Sequence, residues 1–255
     1  MVNGRLRPIG MLGGMSWEST AEYYRLINEL VRAQLGGLHS AAIVLVSLDF
    51  AEVERLQASG RWDEAGELLA GMAADVEAAG AEFVMLCTNT MHKVADQVQA
   101  AVSIPLLHVA DATAEAIAAA GLQRVGLLGT LFTMEQDFYR DRLDSQGIAT
   151  IVPSPDDRAE VHRIIYDELC LGTIRDESRQ VYRDVIARLV AAGAQGIVLG
   201  CTEIELLVHD DDSPVPLFPT ARIHSEAAVR WSIHGPPIPR PAAHPARGWS
   251  TGAPR

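Results

Sequence analysis

The sequence predicts an α/β protein of two pseudo-symmetric lobes, each a parallel sheet flanked by helices, with the active site in the cleft between them. Three features carry this expectation. Short apolar runs alternate with longer amphipathic stretches along the chain. The runs, four to six residues long, lack apolar–polar alternation, as strands buried on both faces do. Two strand-like segments also recur at nearly one spacing. Ile9-Gly10-Met11-Leu12-Gly13 resembles Val125-Gly126-Leu127-Leu128-Gly129, 116 residues on, and residues 78–86 resemble residues 191–199, 113 residues on. Duplication of a lobe of roughly 110 residues accounts for both.

In order along the chain, Ile9-Gly10-Met11-Leu12 reads as a buried strand followed by a glycine turn. Residues 16–35 have helical spacing, with Ser16 as N-cap and Gly36-Gly37 as the stop. Residues 42–48 read as a second strand and residues 62–79 as a helix closed by Gly80. A third strand, residues 83–86, ends at Cys87; a helix over 91–101 and a strand over 106–109 follow. The cycle restarts at residues 125–129. The spacing places one lobe over residues 1–105, completed by residues 214–233, and the other over residues 106–213. Residues 234–255, rich in proline and holding three arginines and no acid, read as a disordered tail.

Composition excludes several classes. The 255 residues are 48% hydrophobic, enough for a sizeable core, and 33 acidic against 21 basic residues argue against nucleic acid as partner. No stretch approaches the length of an apolar membrane span, and the N-terminal apolar run is too short for a signal peptide. Three cysteines are too few and too odd for a disulfide framework, so a reducing, cytoplasmic location is expected. Lys93 is the only lysine, so any Schiff-base chemistry, pyridoxal phosphate included, would have to use it.

The chemistry concentrates in two segments, Leu86-Cys87-Thr88-Asn89-Thr90 and Leu199-Gly200-Cys201-Thr202-Glu203. Each lies where a buried strand ends and a helix should begin, the edge of a parallel sheet where ligands bind. Helix N-termini offer free N–H groups that hold a carboxylate and lower the pKa of a thiol. Two thiols across a cleft suit racemisation, which removes a proton from one face of Cα and returns one to the other. Asn89, Thr90, Thr202 and backbone amides could then meet the carboxylate and ammonium of an amino acid.

Residues 9–20 (Ile-Gly-Met-Leu-Gly-Gly-Met-Ser-Trp-Glu-Ser-Thr), Cys87-Thr88-Asn89-Thr90-Met91-His92 and Gly200-Cys201-Thr202-Glu203 resemble the cofactor-independent aspartate/glutamate racemase superfamily. Within it they are most similar to the bacterial aspartate/glutamate or broad-specificity amino-acid racemases, over about residues 8–233. The resemblance implies racemisation without pyridoxal phosphate, metal or nucleotide, an amino acid as substrate, and a homodimer. It makes the loop holding Met15 a wall of the cleft. Thr130 mirrors Gly14 as a carboxylate contact, and Glu203 orients the Cys201 thiol or binds the ammonium.

Two departures stand out. Most relatives read Cys-Asn-Thr in the first motif, whereas Thr88 is inserted here; a gapless spacing of 113 puts Thr88, not Cys87, opposite Cys201. Reactivity favours Cys87 and register favours Thr88. A threonine hydroxyl is a poor base, so Thr88 would make the two directions of reaction unequal. The second departure concerns charge: neither Glu168-Leu169-Cys170 nor Asp49-Phe50-Ala51-Glu52 supplies a cationic partner for a second carboxylate, leaving Gln57 as a polar contact. A broader or neutral amino-acid range is therefore expected beside aspartate and glutamate.

Other candidates carry less. Gly10, Gly13 and Gly14 lack the spacing of a dinucleotide fingerprint. His209-Asp210-Asp211-Asp212 reads as a solvated acidic turn rather than a metal site, and His92 and His108 as structural or cleft-lining. Rival activities are decarboxylation of an α-substituted malonate or isomerisation of a cis-diacid on the same scaffold. A non-catalytic amino-acid binding module is the rival from another class.

Overall fold

The computed structural model describes residues 5–236. Most of the expected tail, residues 237–255, lies outside them, and its first residue, His234, is the last of a helix. The first lobe runs β1 (Ile9–Gly13), α1 (Trp17–Leu35), β2 (Ile43–Ser47), α2 (Phe50–Ala58), α3 (Trp62–Ala78), β3 (Phe83–Leu86), α4 (Ala95–Ala100) and β4 (Leu106–Leu107). After α5 (Val109–Ala119) come β5 (Arg124–Gly129), α6 (Leu131–Glu135), α7 (Asp137–Asp144), β6 (Ala149–Ile151), α8 (Pro155–Asp167) and α9 (Asp176–Ala191). The last described elements are β7 (Ile197–Gly200), α10 (Ile204–Leu207), β8 (Leu217–Pro219) and α11 (Thr220–His234).

The strands form two all-parallel sheets of identical topology, β2-β1-β3-β4 and β6-β5-β7-β8. The repeat read from the sequence is thus a repeat of the sheet itself. Helices cover both faces, which is why β1, β3 and β7 are apolar throughout and buried at every residue. Ile9, Met11, Phe83 and Met85 share a core with Tyr23 of α1 and Ala228 of α11; Leu12, Val84 and Leu86 share another with Leu69 of α3. Each such side chain contributes about 1.5–3 kcal/mol by leaving water.

Several ends follow the sequence signals. Ser16 caps α1, its Oγ accepting from the Ser19 amide at 3.3 Å, and Gly36 ends it with φ 75°. Others differ, for local reasons. The helix expected over 91–101 is a 3₁₀ turn (Thr90–Val94) followed by α4. The His92 amide bonds Asn89 O at 3.1 Å, and this tighter turn holds Asn89 and Thr90 at the strand end. The strand over 106–109 stops at Leu107, because His108 caps α5 through Nδ1, 3.1 Å from the Ala110 amide. The sequence reading passed over α2, although Asp49, its N-cap, and Glu52 three residues on are the usual signal. The first sheet extends to Leu107 and the second to Pro219, against expected lobe breaks at 105 and 213. Strands of two and three residues are too short to leave a periodic trace.

Candidate active site

The C-terminal ends of β1 and β3 face those of β5 and β7 across the cleft, and the ladders fix which residues correspond. Gly10 pairs with Val84 as Gly126 pairs with Ile197, and Leu12 with Leu86 as Leu128 with Leu199. Four residues beyond Val84 is Thr88, and four beyond Ile197 is Cys201. Both line one small cavity, with about 30 Å³ of free space. Cys87 does not line it. It has no exposed surface and belongs to the core that contains Tyr23 and Met85.

The other residues singled out in the sequence converge here: Met15, Gln57, Asn89, Thr90, Thr130, Thr202 and Glu203 all line the cavity. The loop bearing Met15 turns at Gly14 (φ 87°), where a Cβ would lie 2.2 Å from Leu48 O, so only glycine fits. Thr130 caps α6, and its Oγ1 lies 3.0 Å from that of Thr90, joining the lobes. Asn89 donates through Nδ2 to Thr220 Oγ1 at 3.0 Å, while its buried Oδ1 has no partner among the described residues. Gln57 Nε2 lies 3.0 Å from Met91 Sδ.

Cys201 is bonded directly to a carboxylate. Its thiol donates to Glu203 Oε2 at 3.0 Å, and Oε1 of the same carboxylate accepts from Ser16 Oγ at 2.7 Å. Burial, then the Glu203 charge beside it, hold the Cys201 thiol well above its ordinary pKa; burial alone does the same for Cys87. This corrects the expectation of thiols tuned toward neutrality by helix N-termini. The helix after β7 has only four residues and the segment after β3 is a 3₁₀ turn, so neither offers much dipole to offset burial. Cys170, also on the cavity wall, is pushed up to about 12, chiefly by burial.

Sequence reading missed Phe50, Ile165 and Tyr166 as wall residues, and Ser16 as a partner of Glu203. Ser16 had a visible role as a helix cap, but its second contact is 187 residues away and leaves no local signal. Among the described residues, no lysine, arginine or histidine lines the cavity. Lys93 sits outside it, its Nζ 4.2 Å from the centre of the Trp62 ring and bonded to Gln136. His92 and His108 are structural: His92 Nε2 accepts from the Val109 amide at 3.2 Å, and the two rings pack edge-on at 4.4 Å. The acidic turn at 209–212 is structural too, since Asp212 accepts from the His209 amide at 2.8 Å and from Arg183 at 2.6 Å. Among the described residues, no group of three or more His, Cys, Asp or Glu side chains is placed to hold a metal ion, and no helix is long and apolar enough to cross a membrane.

Comparison with known proteins agrees with this geometry. Residues 12–228 match the sequence profile described as Asp/Glu/Hydantoin racemase. The fold is similar to that of a putative Asp/Glu racemase from Yersinia pestis, with 56% identity, TM-score 0.84, and 89% of this chain and 99% of that one covered. It is also similar to an aspartate racemase homologue from Pyrococcus horikoshii, at 32% identity and TM-score 0.79 over the same shares of the two chains. An uncharacterised protein encoded in the pnlA 3′ region of Pectobacterium carotovorum is 33% identical over 106 residues, 42% of this chain and 69% of that protein.

Proposed function

From the premise that the chain belongs to the Asp/Glu/hydantoin racemase family and is a cofactor-independent amino-acid racemase, we propose that Cys201 and Thr88 are its two proton-transferring groups. The observation that supports this pair is their equivalence in the two sheets at the wall of one cavity. As a thiolate, Cys201 removes the proton from one face of Cα, and the Thr88 hydroxyl delivers a proton to the other. The unpartnered Oδ1 of Asn89 accepts from the substrate ammonium, and the hydroxyls of Thr90, Thr130 and Thr202 meet the carboxylate.

The pair is unequal, since a threonine hydroxyl donates a proton far better than its alkoxide is formed to take one. Enantiomers have the same free energy in water, so kcat/KM must be equal in the two directions. The inequality therefore shows in kcat and in the pattern of hydrogen exchange. The cavity wall, free of cations and carrying Gln57 and Tyr166, supports neutral or mixed polar substrates alongside acidic ones. A cytoplasmic homodimer completes the reading, supported by the three unpaired cysteines and by exposed Tyr24 and Leu38, which line one surface groove.

The test is incubation of the pure protein in deuterated water with a panel of L-amino acids and no added cofactor. Loss of the Cα–H signal accompanied by the D-isomer is the expected result and names the substrate. No exchange across the panel would move decarboxylation, isomerisation or simple binding ahead.

A further inference from the structure

Glu203 faces two ways. On one side it bonds the Cys201 thiol at the wall of the cavity; on the other it lines a groove of about 300 Å³ on the outside of the protein, bounded by Trp17, Glu22 and Leu206. Ser19 and Thr202 also line both spaces. Cys201 itself is only 9% exposed, and Glu203 is its side-chain hydrogen-bond partner among the described residues. A thiol that has taken the Cα proton therefore has no direct route to water while an amino acid fills the cavity.

We propose that Glu203 carries the Cys201 proton to and from solvent through this outer groove, apart from the cavity that holds the substrate. The inference rests on Cys201 acting as an acid/base group. The transfer balances simply. The S–H bond of Cys201 breaks and an O–H bond forms on Glu203 Oε2, leaving a thiolate beside a neutral carboxylic acid. That acid then passes its proton to water in the groove and returns to the carboxylate. Ser16 Oγ, donating to Oε1 at 2.7 Å, belongs to the first lobe, so the relay is complete only when the lobes are together. Among the described residues the Thr88 side has no such carboxylate on the cavity wall, so protons reach and leave the two faces by different routes.

Glu203→Gln keeps the shape and can still accept the thiol hydrogen bond, but it cannot take the proton. Alkylation checks that the Glu203 charge acts on the thiol; formate rescue and label return separate the relay from a structural role. Alkylation of Cys201 by iodoacetamide, followed by mass spectrometry at each cysteine across pH, is expected to speed up at neutral pH, because a negative neighbour is gone. Turnover of the panel amino acid that exchanges fastest is expected to fall about 100-fold, and that of Glu203→Ala, which leaves room for a small carboxylate, to recover with added formate. With Glu203→Gln, a Cα-deuterated sample of the enantiomer that Cys201 deprotonates, in ordinary water, is expected to show return of its label to the recovered substrate, while the product takes its hydrogen from the Thr88 side; the native protein washes the label out of the substrate. Unchanged turnover, or lowered turnover without formate rescue and label return, would overturn the relay. If Glu203→Gln does not fold, Glu203→Asp withdraws the carboxylate by one methylene, and the same rescue and label return are required of it. Racemisation surviving in Cys201→Ser would instead sink the parent assignment; an inactive Cys201→Ser beside a fully active Glu203→Gln would sink the relay alone.

Discussion

The two lobes have the same sheet order and the same strand-end geometry, yet the groups at equivalent positions have opposite character. In the second lobe Cys201 is an ionisable thiol bonded to a carboxylate. In the first, Thr88 is a neutral hydroxyl, and the segment that follows it is braced by His92, His108 and His224, all held neutral by burial. The difference shows that a repeated backbone fixes where two strand-end side chains stand without fixing what they are. One lobe places a titratable thiol there and the other a neutral hydroxyl.

The largest effect expected is that of Cys201→Ser. It keeps a donor to Glu203 but loses the thiolate, and racemisation followed by chiral chromatography should drop about 10³-fold or more. Thr88→Ala should cost about 10²-fold in racemisation while exchange of the Cα–H of one enantiomer, read by proton NMR in deuterated water, persists. Thr88→Cys should bring the lobes closer to equivalence and raise exchange of the other enantiomer. If Thr88→Ala racemises normally, the two lobes do not share the reaction as their ladders suggest.

Cys87→Ala separates position from reactivity. Because Cys87 is a core residue, the variant should lose about 1–2 kcal/mol of stability in urea titration with kcat unchanged. A folded but inactive Cys87→Ala would return the first-lobe role to the thiol. The smallest effect concerns acid. Burial holds His224 down to about 4 and His108 to about 2, whereas an unfolded histidine titrates near 6.5. Protons then favour the unfolded chain below pH 6.5, so stability present above that pH is lost as pH falls toward 4, by about 1 kcal/mol per pH unit for each buried histidine. Thermal melts at pH 7.5 and 5 should show the loss, and His224→Asn should lessen it if the variant folds.

Much of this was legible in the sequence, because its carriers are local. Ile9-Gly10-Met11-Leu12-Gly13 and its counterpart at 125–129 announce the repeat, and the gapless spacing already set Thr88 against Cys201. What could not be read was which of Cys87 and Thr88 faces the cleft. That is settled by which side of the wall each residue falls on as the chain leaves β3, and spacing alone does not show it. The contacts that join the lobes were equally hidden: Ser16 with Glu203, Thr90 with Thr130, and the edge-on packing of Trp62 against Phe132 at 5.4 Å. Each depends on the docking of two sheets rather than on any pattern within one.

The cavity's 30 Å³ is room for about two water molecules. An amino acid has at least five non-hydrogen atoms, so we expect the lobes to part and return as substrate enters and product leaves. The cross-lobe contacts are then a latch, made and broken once per turnover. Turnover is therefore open to control by solvent friction, and a viscous cosolvent such as sucrose should slow kcat in proportion to viscosity wherever unlatching, rather than hydrogen transfer, sets the pace.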